Sequence, residues 1–375
     1  MKWKIPLYKI FTDRDDNKAV NKVLQRGMDW AIGHEIAEFE KKIANYIGTK
    51  YCVAFNSGTS AGHAALLAIN INSGEVIVPS FTFISTANWP LMVNAKPKFV
   101  DIEEENFGLS PERVKVEITK NTKAIIPIHY GGRPCKIIEI DRIARNKKIT
   151  LIEDCAEALG AKIKGVSVGT FGQMSIFSFA PNKILTTGEG GAICTDSRKI
   201  FEKLQLIRSH GRKVNENYFK TSQLPNYISI GYNWRMSSMT AALGLSQFDK
   251  LDRIIQLRRR HARFYVLKLK KIKEVTLSDE PKDHLHVYQL FTIQLKNNLI
   301  RNELQKFLAS RGIMTKIFFE PIHLSNFYKK SGFGKKSLPN TEKISQTVLS
   351  LPIFPGLKSE EIRHICDSIK EFFQN

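Results

Sequence analysis

The sequence predicts an α/β fold built on a mostly parallel, seven-stranded sheet, followed by a smaller α+β domain at the C-terminal end. Three observations carry this. Between residues 50 and 196, seven short apolar runs alternate with segments of helical spacing. Most of these runs lack the strict in–out alternation of a half-exposed sheet, as strands covered on both faces do. After residue 197 the pattern changes to long helices, and then to a second mixture of strands and helices.

The runs lie at 51–56, 75–80, 98–102, 124–129, 150–154, 174–179 and 191–195, most of them rich in Val, Ile or Phe. Intervening segments such as 59–71 and 138–147 have helical periodicity, so strand and helix alternate in the manner of parallel βαβ units. Helices are expected from about 198 to 272, including an Ala-rich one at 240–250. Beyond 275, strands are expected at 288–295 and 314–319, and helices at 300–310 and 359–373. The long basic helix around 249–272 is the expected junction, which gives a large domain of residues 1–250, N-terminal arm included, and a small one of residues 251–375.

The bulk numbers set limits on function. The chain has 375 residues, 42% hydrophobic and 25% charged, enough for two cores of ordinary soluble character. The N-terminus lacks an apolar leader segment, and no stretch approaches the roughly 18 apolar residues of a membrane span. The five cysteines (Cys52, Cys135, Cys155, Cys194 and Cys366) have neither disulfide nor metal-ligand spacing and read as buried thiols of a cytoplasmic protein, with no metal expected. The net charge of +21 is the one unusual feature. Its Lys and Arg residues are spread along the chain and interleaved with acids, so a solvated basic surface is expected, including the runs Arg258-Arg259-Arg260 and Lys268 to Lys273. A nucleic-acid-binding or regulatory protein is the alternative that this charge keeps open.

Three short segments carry chemistry. Asn56-Ser57-Gly58-Thr59-Ser60 follows a strand and opens an apolar helix, a place where glycine and free N–H groups bind phosphate and where Ser57 or Thr59 can equally cap the helix. Asp154 ends the fifth run, at the sheet edge where α/β folds bind ligands, and an acid there can hold a pyridinium nitrogen. In Ser178-Phe179-Ala180-Pro181-Asn182-Lys183 a strand ends in a loop with one lysine, ahead of the turn Gly188-Glu189-Gly190-Gly191; such a lysine can form a Schiff base and move protons. Each has a plain structural alternative. Together they supply an anion cradle, a ring-nitrogen partner and an amine, the parts that pyridoxal 5′-phosphate (PLP) needs.

With these segments, the chain resembles the sugar-nucleotide aminotransferases of the DegT/DnrJ/EryC1/StrS type, of PLP fold type I, over nearly its whole length. Phe39-Glu40, Val78-Pro79-Ser80-Phe81-Thr82-Phe83, Glu153-Asp154-Cys155-Ala156-Glu157-Ala158-Leu159-Gly160, Gly231-Tyr232-Asn233-Trp234-Arg235-Met236 and Pro321-Ile322-His323 share in it. The resemblance implies that Lys183 holds PLP and relays the proton, and that Asp154 pairs with the ring nitrogen. It implies that Gly58, Thr59 and Ser178 hold the phosphate, that Phe83 stacks on the ring, and that Glu157 lies at its O3′ edge. Asn233 is expected to reach the site of a neighbouring subunit, making a homodimer with shared active sites. Arg235, Lys316 and His323 are expected near the sugar nucleotide, with Lys316 at a position often filled by Arg.

Family members with His in place of the lysine are sugar dehydratases, so Lys183 implies transfer. The donor implied is an amino acid such as L-glutamate. The run from Glu153 to Gly160 looks most like the enzymes that aminate C4, and the substrate implied is a GDP-linked 4-keto-6-deoxymannose. A UDP- or dTDP-linked keto sugar is the alternative. The product would feed O-antigen, capsule or other glycan synthesis, and neither nucleic acid nor membrane is expected as a partner.

Overall fold

The computed structural model describes residues 3–213, 222 and 224–374. Its centre is a seven-stranded sheet: β1 (Tyr51–Phe55), β2 (Glu75–Pro79), β3 (Lys96–Val100), β4 (Thr122–Ile125), β5 (Thr150–Asp154), β6 (Met174–Ser178) and β7 (Gly191–Thr195). The order across the sheet is β1-β7-β6-β5-β4-β2-β3. Neighbours from β3 to β6 pair in parallel, and β7 runs antiparallel between β6 and β1. All seven predicted strands are present, with ends moved by a residue or two except at β4, which stops at Ile125.

The lack of alternation follows from burial on both faces. In β1, Val53 and Phe55 enter one core while Cys52 and Ala54 enter the other. Neither face can then afford a polar residue. All five cysteines are buried and free.

The C-terminal region has a three-stranded sheet of Thr276–Leu277, Phe291–Gln294 and Val348–Leu351. Helices Asn298–Ser310 and Ser359–Phe372 cover it. Two expectations change here. The strand expected at 288–295 shortens to Phe291–Gln294, and the one expected at 314–319 does not form. That segment makes one isolated bridge, Lys316 with Ser350, just after that of Ile313 with Ile5, while Val348–Leu351 supplies the real partner strand. Periodicity cannot tell an extended connection from a strand, because pairing decides.

The helix Leu251–Leu269 joins the two cores. Leu251, Ile254 and Ile255 belong to a core of the large sheet, and Ala262, Tyr265 and Leu269 to that of the small one. The basic run in this helix is not all solvated, which corrects the expectation for it. Arg258 is buried and donates from Nη1 to the carbonyls of Tyr288, Gln289 and Ile353 at 3.0, 3.3 and 3.1 Å. Burial lowers its pKa to about 10. Arg259 pairs with Glu280, and Arg260 alone of the three is exposed.

The N-terminal arm runs to the small sheet's side of the molecule. Ile5 enters that core, and Leu7 accepts a backbone hydrogen bond from Ile353 at 3.2 Å. In return, Ile322, Tyr328 and Leu338 pack in a core of the large sheet. Among the described residues no helix is long and apolar enough to cross a membrane.

Candidate active site

The parallel strands place their C-terminal ends along one edge of the sheet, where a cavity of about 530 Å³ opens. That lies within the usual range of ligand sites. Gly58, Thr59, Phe83, Asp154, Glu157, Ser178, Lys183 and Lys316 all line it.

The anion cradle is built by close chain approach. The helix Gly58–Ala68 follows β1 directly, with Ser57 as its N-cap accepting from the Ser60 N–H at 3.0 Å. The capping alternative for Ser57 is therefore real, and it engages the Ser60 N–H while Gly58 and Thr59, the first two helical residues, line the cavity. A Cβ on Gly58 would lie 3.0 Å from Ser178 Cβ and 3.2 Å from its Oγ. One on Gly191 would lie 2.5 Å from the Ser57 carbonyl oxygen. Glycine at both positions lets β1, β6 and β7 converge. Thr59 is fixed by a hydroxyl contact with Ser85 at 3.0 Å, and its carbonyl accepts from Trp89 Nε1 at 2.9 Å.

Asp154 ends β5 and is 7% exposed. Its Oδ2 accepts the Thr86 hydroxyl at 2.8 Å and its Oδ1 the Ala156 N–H at 3.1 Å. Burial raises its pKa, against the lowering by these two donors and by the charge of Lys183. A carboxyl held in this way favours a cationic partner on its open side.

The preceding residue, Glu153, turns to the opposite face. Its carboxylate accepts N–H bonds from Gly169, Phe171 and Gly172, each at 2.8 Å, and His129 Nε2 lies 3.2 Å away. His129 Nδ1 accepts the Cys135 N–H at 3.2 Å, which fixes the proton on Nε2. His129, Glu153 and Cys155 are close enough to hold a cation. The Glu153 oxygens and His129 Nδ1 are already engaged, so the cluster works as a hydrogen-bonded pin beneath Asp154.

Lys183 lies on the loop after β6, with its N–H bonded to the Ala180 carbonyl at 3.0 Å. Gln289 Nε2 donates to the Asn182 carbonyl from the small-sheet side. Lys183 Nζ is 3.8 Å from Glu157 Oε1, and Glu157 Oε2 accepts the Gly131 N–H at 2.8 Å. Burial raises the Glu157 pKa, and the charge of Lys183 opposes it.

Three expected site residues are not brought to the cavity. Asn233 is exposed and bridges Ser209 through its backbone. Arg235 donates to Ser209 Oγ at 3.1 Å, and its backbone bridges Phe55. His323 is 1% exposed. Its Nδ1 is 2.6 Å from Ser80 Oγ and its Nε2 3.4 Å from Glu342, so it braces the turn that carries Phe83. In the other direction, the reading of the sequence passed over Tyr8, Thr86, His129, Met314, Phe318 and Phe319, all of which line the cavity. Thr86 had a usable signal, since it lies three residues after Phe83 in the helix Ile84–Met92 and so returns to the same face.

The donor set fits PLP: a buried acid with an open side, a helix N-terminus with a glycine cradle, and a lysine between them. Fold and site together define a PLP-dependent aminotransferase. The chain belongs to the DegT/DnrJ/EryC1/StrS aminotransferase family, whose model matches residues 11–370. It is 35% identical to the GDP-perosamine synthase of Escherichia coli O157:H7, covering 99% of each chain. It is also 35% identical to a pleiotropic regulatory protein of Geobacillus stearothermophilus, covering 94% of this chain and 93% of that one. Among solved structures it is similar to DesV of S. venezuelae, with a TM-score of 0.90, 30% identity and full coverage of both chains.

Proposed function

We propose that this aminotransferase moves an amino group from an amino acid, with L-glutamate the expected donor, to C4 of a nucleotide-linked 4-keto-6-deoxy sugar. GDP-4-keto-6-deoxymannose is the expected acceptor, which would make the chain a GDP-perosamine synthase serving O-antigen or related glycan synthesis. The likeness to the E. coli enzyme over 99% of both chains supports the acceptor. The observation that carries transfer is the lysine, with Lys183 Nζ 3.8 Å from Glu157 in the cavity that Asp154 also lines.

PLP, when bound, supplies a carbonyl that exchanges with amino groups and a conjugated ring that takes up electrons. Asp154 would hold the ring nitrogen, and Thr86 would keep that carboxylate charged and aimed. The first N–H groups of the Gly58–Ala68 helix and the Ser178 hydroxyl would hold the phosphate. Phe83 would cover the ring, with Glu157 at its O3′ edge. Lys183 Nζ takes a proton from Cα of the amino donor in the first half of the cycle and delivers one to C4 of the sugar in the second. Donor and acceptor use the same cavity in turn, which gives ping-pong kinetics. Lys316 contributes a positive charge for a diphosphate. Asn233 is exposed and away from its own chain's cavity, which suits a contact with the site of a second copy in a homodimer.

Incubating the PLP-loaded enzyme with glutamate and a panel of GDP-, UDP- and dTDP-4-keto-6-deoxy sugars, then locating the new C–N bond by NMR, tests this reading. Amination at C4 of the GDP sugar is the expected result, and amination of 3-keto sugars alone would overturn it. A protein that takes up no PLP would instead favour a regulatory role.

A further inference from the structure

The N-terminal arm enters the active site. Residues 4–7 lie along the small sheet's side of the cavity: the Lys4 and Ile5 N–H groups bond the Gly312 carbonyl at 2.9 and 3.0 Å, and the Met314 N–H bonds the Ile5 carbonyl at 2.9 Å. Ile5 and Leu7 are buried, so this part of the arm is held on both sides. The next residue, Tyr8, is 41% exposed. It lines the main cavity together with Met314, Phe318 and Lys183. It also lines two small hollows beside that cavity, one against Asn182 and Lys183 and one against Gln289 and Phe318. Tyr8 thus stands at the seam between the lysine loop and the wall formed by 314–319, directly after the bonded stretch 4–7.

We propose that Tyr8 is a specificity-determining residue whose hydroxyl hydrogen-bonds the sugar of the nucleotide-linked acceptor and has no part in the reaction of the amino donor. This rests on the function proposed above. Both half-reactions share the groups that line the reacting end, Asp154, Glu157 and Lys183. A half-exposed phenol at the rim meets only a ligand large enough to reach it. The nucleotide sugar does so, and a small amino acid bound near Lys183 does not. A tyrosine suits this position because its ring packs against the apolar wall while its hydroxyl both donates and accepts.

The test separates the two half-reactions in wild-type, Tyr8→Phe and Tyr8→Ala enzymes. The first is the single-turnover reaction of the PLP-loaded enzyme with glutamate, followed by loss of the visible PLP band. The second is the single-turnover reaction of the pyridoxamine-phosphate form with GDP-4-keto-6-deoxymannose. Calorimetric titration of the PLP-loaded enzyme with the same sugar, which it has no amino group to convert, reads binding alone. Tyr8→Phe is expected to weaken sugar binding and lower the second half-reaction's apparent second-order constant by roughly 3- to 10-fold, the worth of one neutral hydrogen bond. Its maximal rate and the glutamate half-reaction should stay within about twofold of wild type. Tyr8→Ala is expected to lose more in binding with the same separation. Equal losses in both half-reactions would make Tyr8 a structural prop and overturn the proposal, as would unchanged sugar binding in both variants. Failure of the wild-type enzyme itself to react with glutamate or with the sugar would instead overturn the function on which this rests.

Discussion

The floor and the wall of the cavity are built from different material. On the floor, the polar groups sit at strand ends and have their partners in place. Asp154 accepts from Thr86 and Ala156, Glu153 accepts three N–H bonds beneath it, and Glu157 accepts from Gly131 while facing Lys183. The wall comes from connecting segments. Tyr8 is 41% exposed, and the 314–319 stretch is held by the isolated bridge of Lys316 with Ser350. A group that must hold or move a proton needs a fixed charge state, and only a saturated, rigid setting supplies one. A surface that recognises a substrate can lie on segments free to vary without disturbing the sheet. The difference fits the proposed chemistry on the floor and the proposed recognition on the wall.

The largest way to break that division is Lys183→Ala. With no contact beyond the loop and Glu157 at stake, the fold should stand, while the visible PLP band disappears and transfer falls by at least about 10²–10⁴-fold. Turnover near the wild-type rate would show that the floor lysine is dispensable. Asp154→Asn should follow, lowering kcat by roughly 10²–10³-fold with the fold intact, as for loss of one charge aimed at the reacting system.

Thr86→Val tests the same carboxyl more gently. Thr86 donates to Asp154 and lowers its pKa, so its loss lets burial raise that pKa further. The ionised form is the one required, and the acid limb of the pH–rate profile should therefore move to higher pH. An unchanged limb would remove Thr86 from the floor.

Lys316→Ala tests the wall. Lys316 lines the cavity, and its Nζ lies 5.2 Å from the Phe318 ring centroid. The KM for the nucleotide sugar should rise by about tenfold, the worth of one charge-assisted contact, with kcat nearly unchanged. A fall in kcat of equal size would erase the distinction between wall and floor.

The smallest effect is expected at His323, which does not line the cavity. Burial lowers its pKa below the ordinary value of 6.5, against the raising influence of Glu342. Its folded-state pKa is depressed, so the unfolded chain takes up the proton first as the pH falls. The stability tied to neutral His323 is present above about pH 6.5 and is lost progressively below it. Thermal unfolding at a series of pH values should show this acid loss in the wild type and a smaller one in His323→Gln.

Much of the floor was legible beforehand because its signals are local. A strand that ends in Asp154, a Ser-Gly-Thr turn into a helix and a lysine ahead of a glycine-rich turn each lie within a few residues. The seven strands were legible for a similar reason, since burial on both faces forces continuous apolar runs. Arg258 shows where this stops: inside Arg258-Arg259-Arg260 nothing marks one residue as buried, and only the carbonyls of Tyr288, Gln289 and Ile353 make that position tenable.

By itself, then, the sequence determined the layered α/β architecture, the reaction class and most of the residues that line the cavity floor, all of which depend on short-range pattern and on residue chemistry. The tertiary structure decided the rest. It sent the arm to Gly312 and Ile353, set Tyr8 at the rim of the cavity that Lys183 lines, turned 314–319 into a wall in place of a strand, and withdrew His323 into a brace behind Ser80. Each of these joins residues far apart in the chain through backbone pairing or packing, and no periodicity within a segment encodes its distant partner.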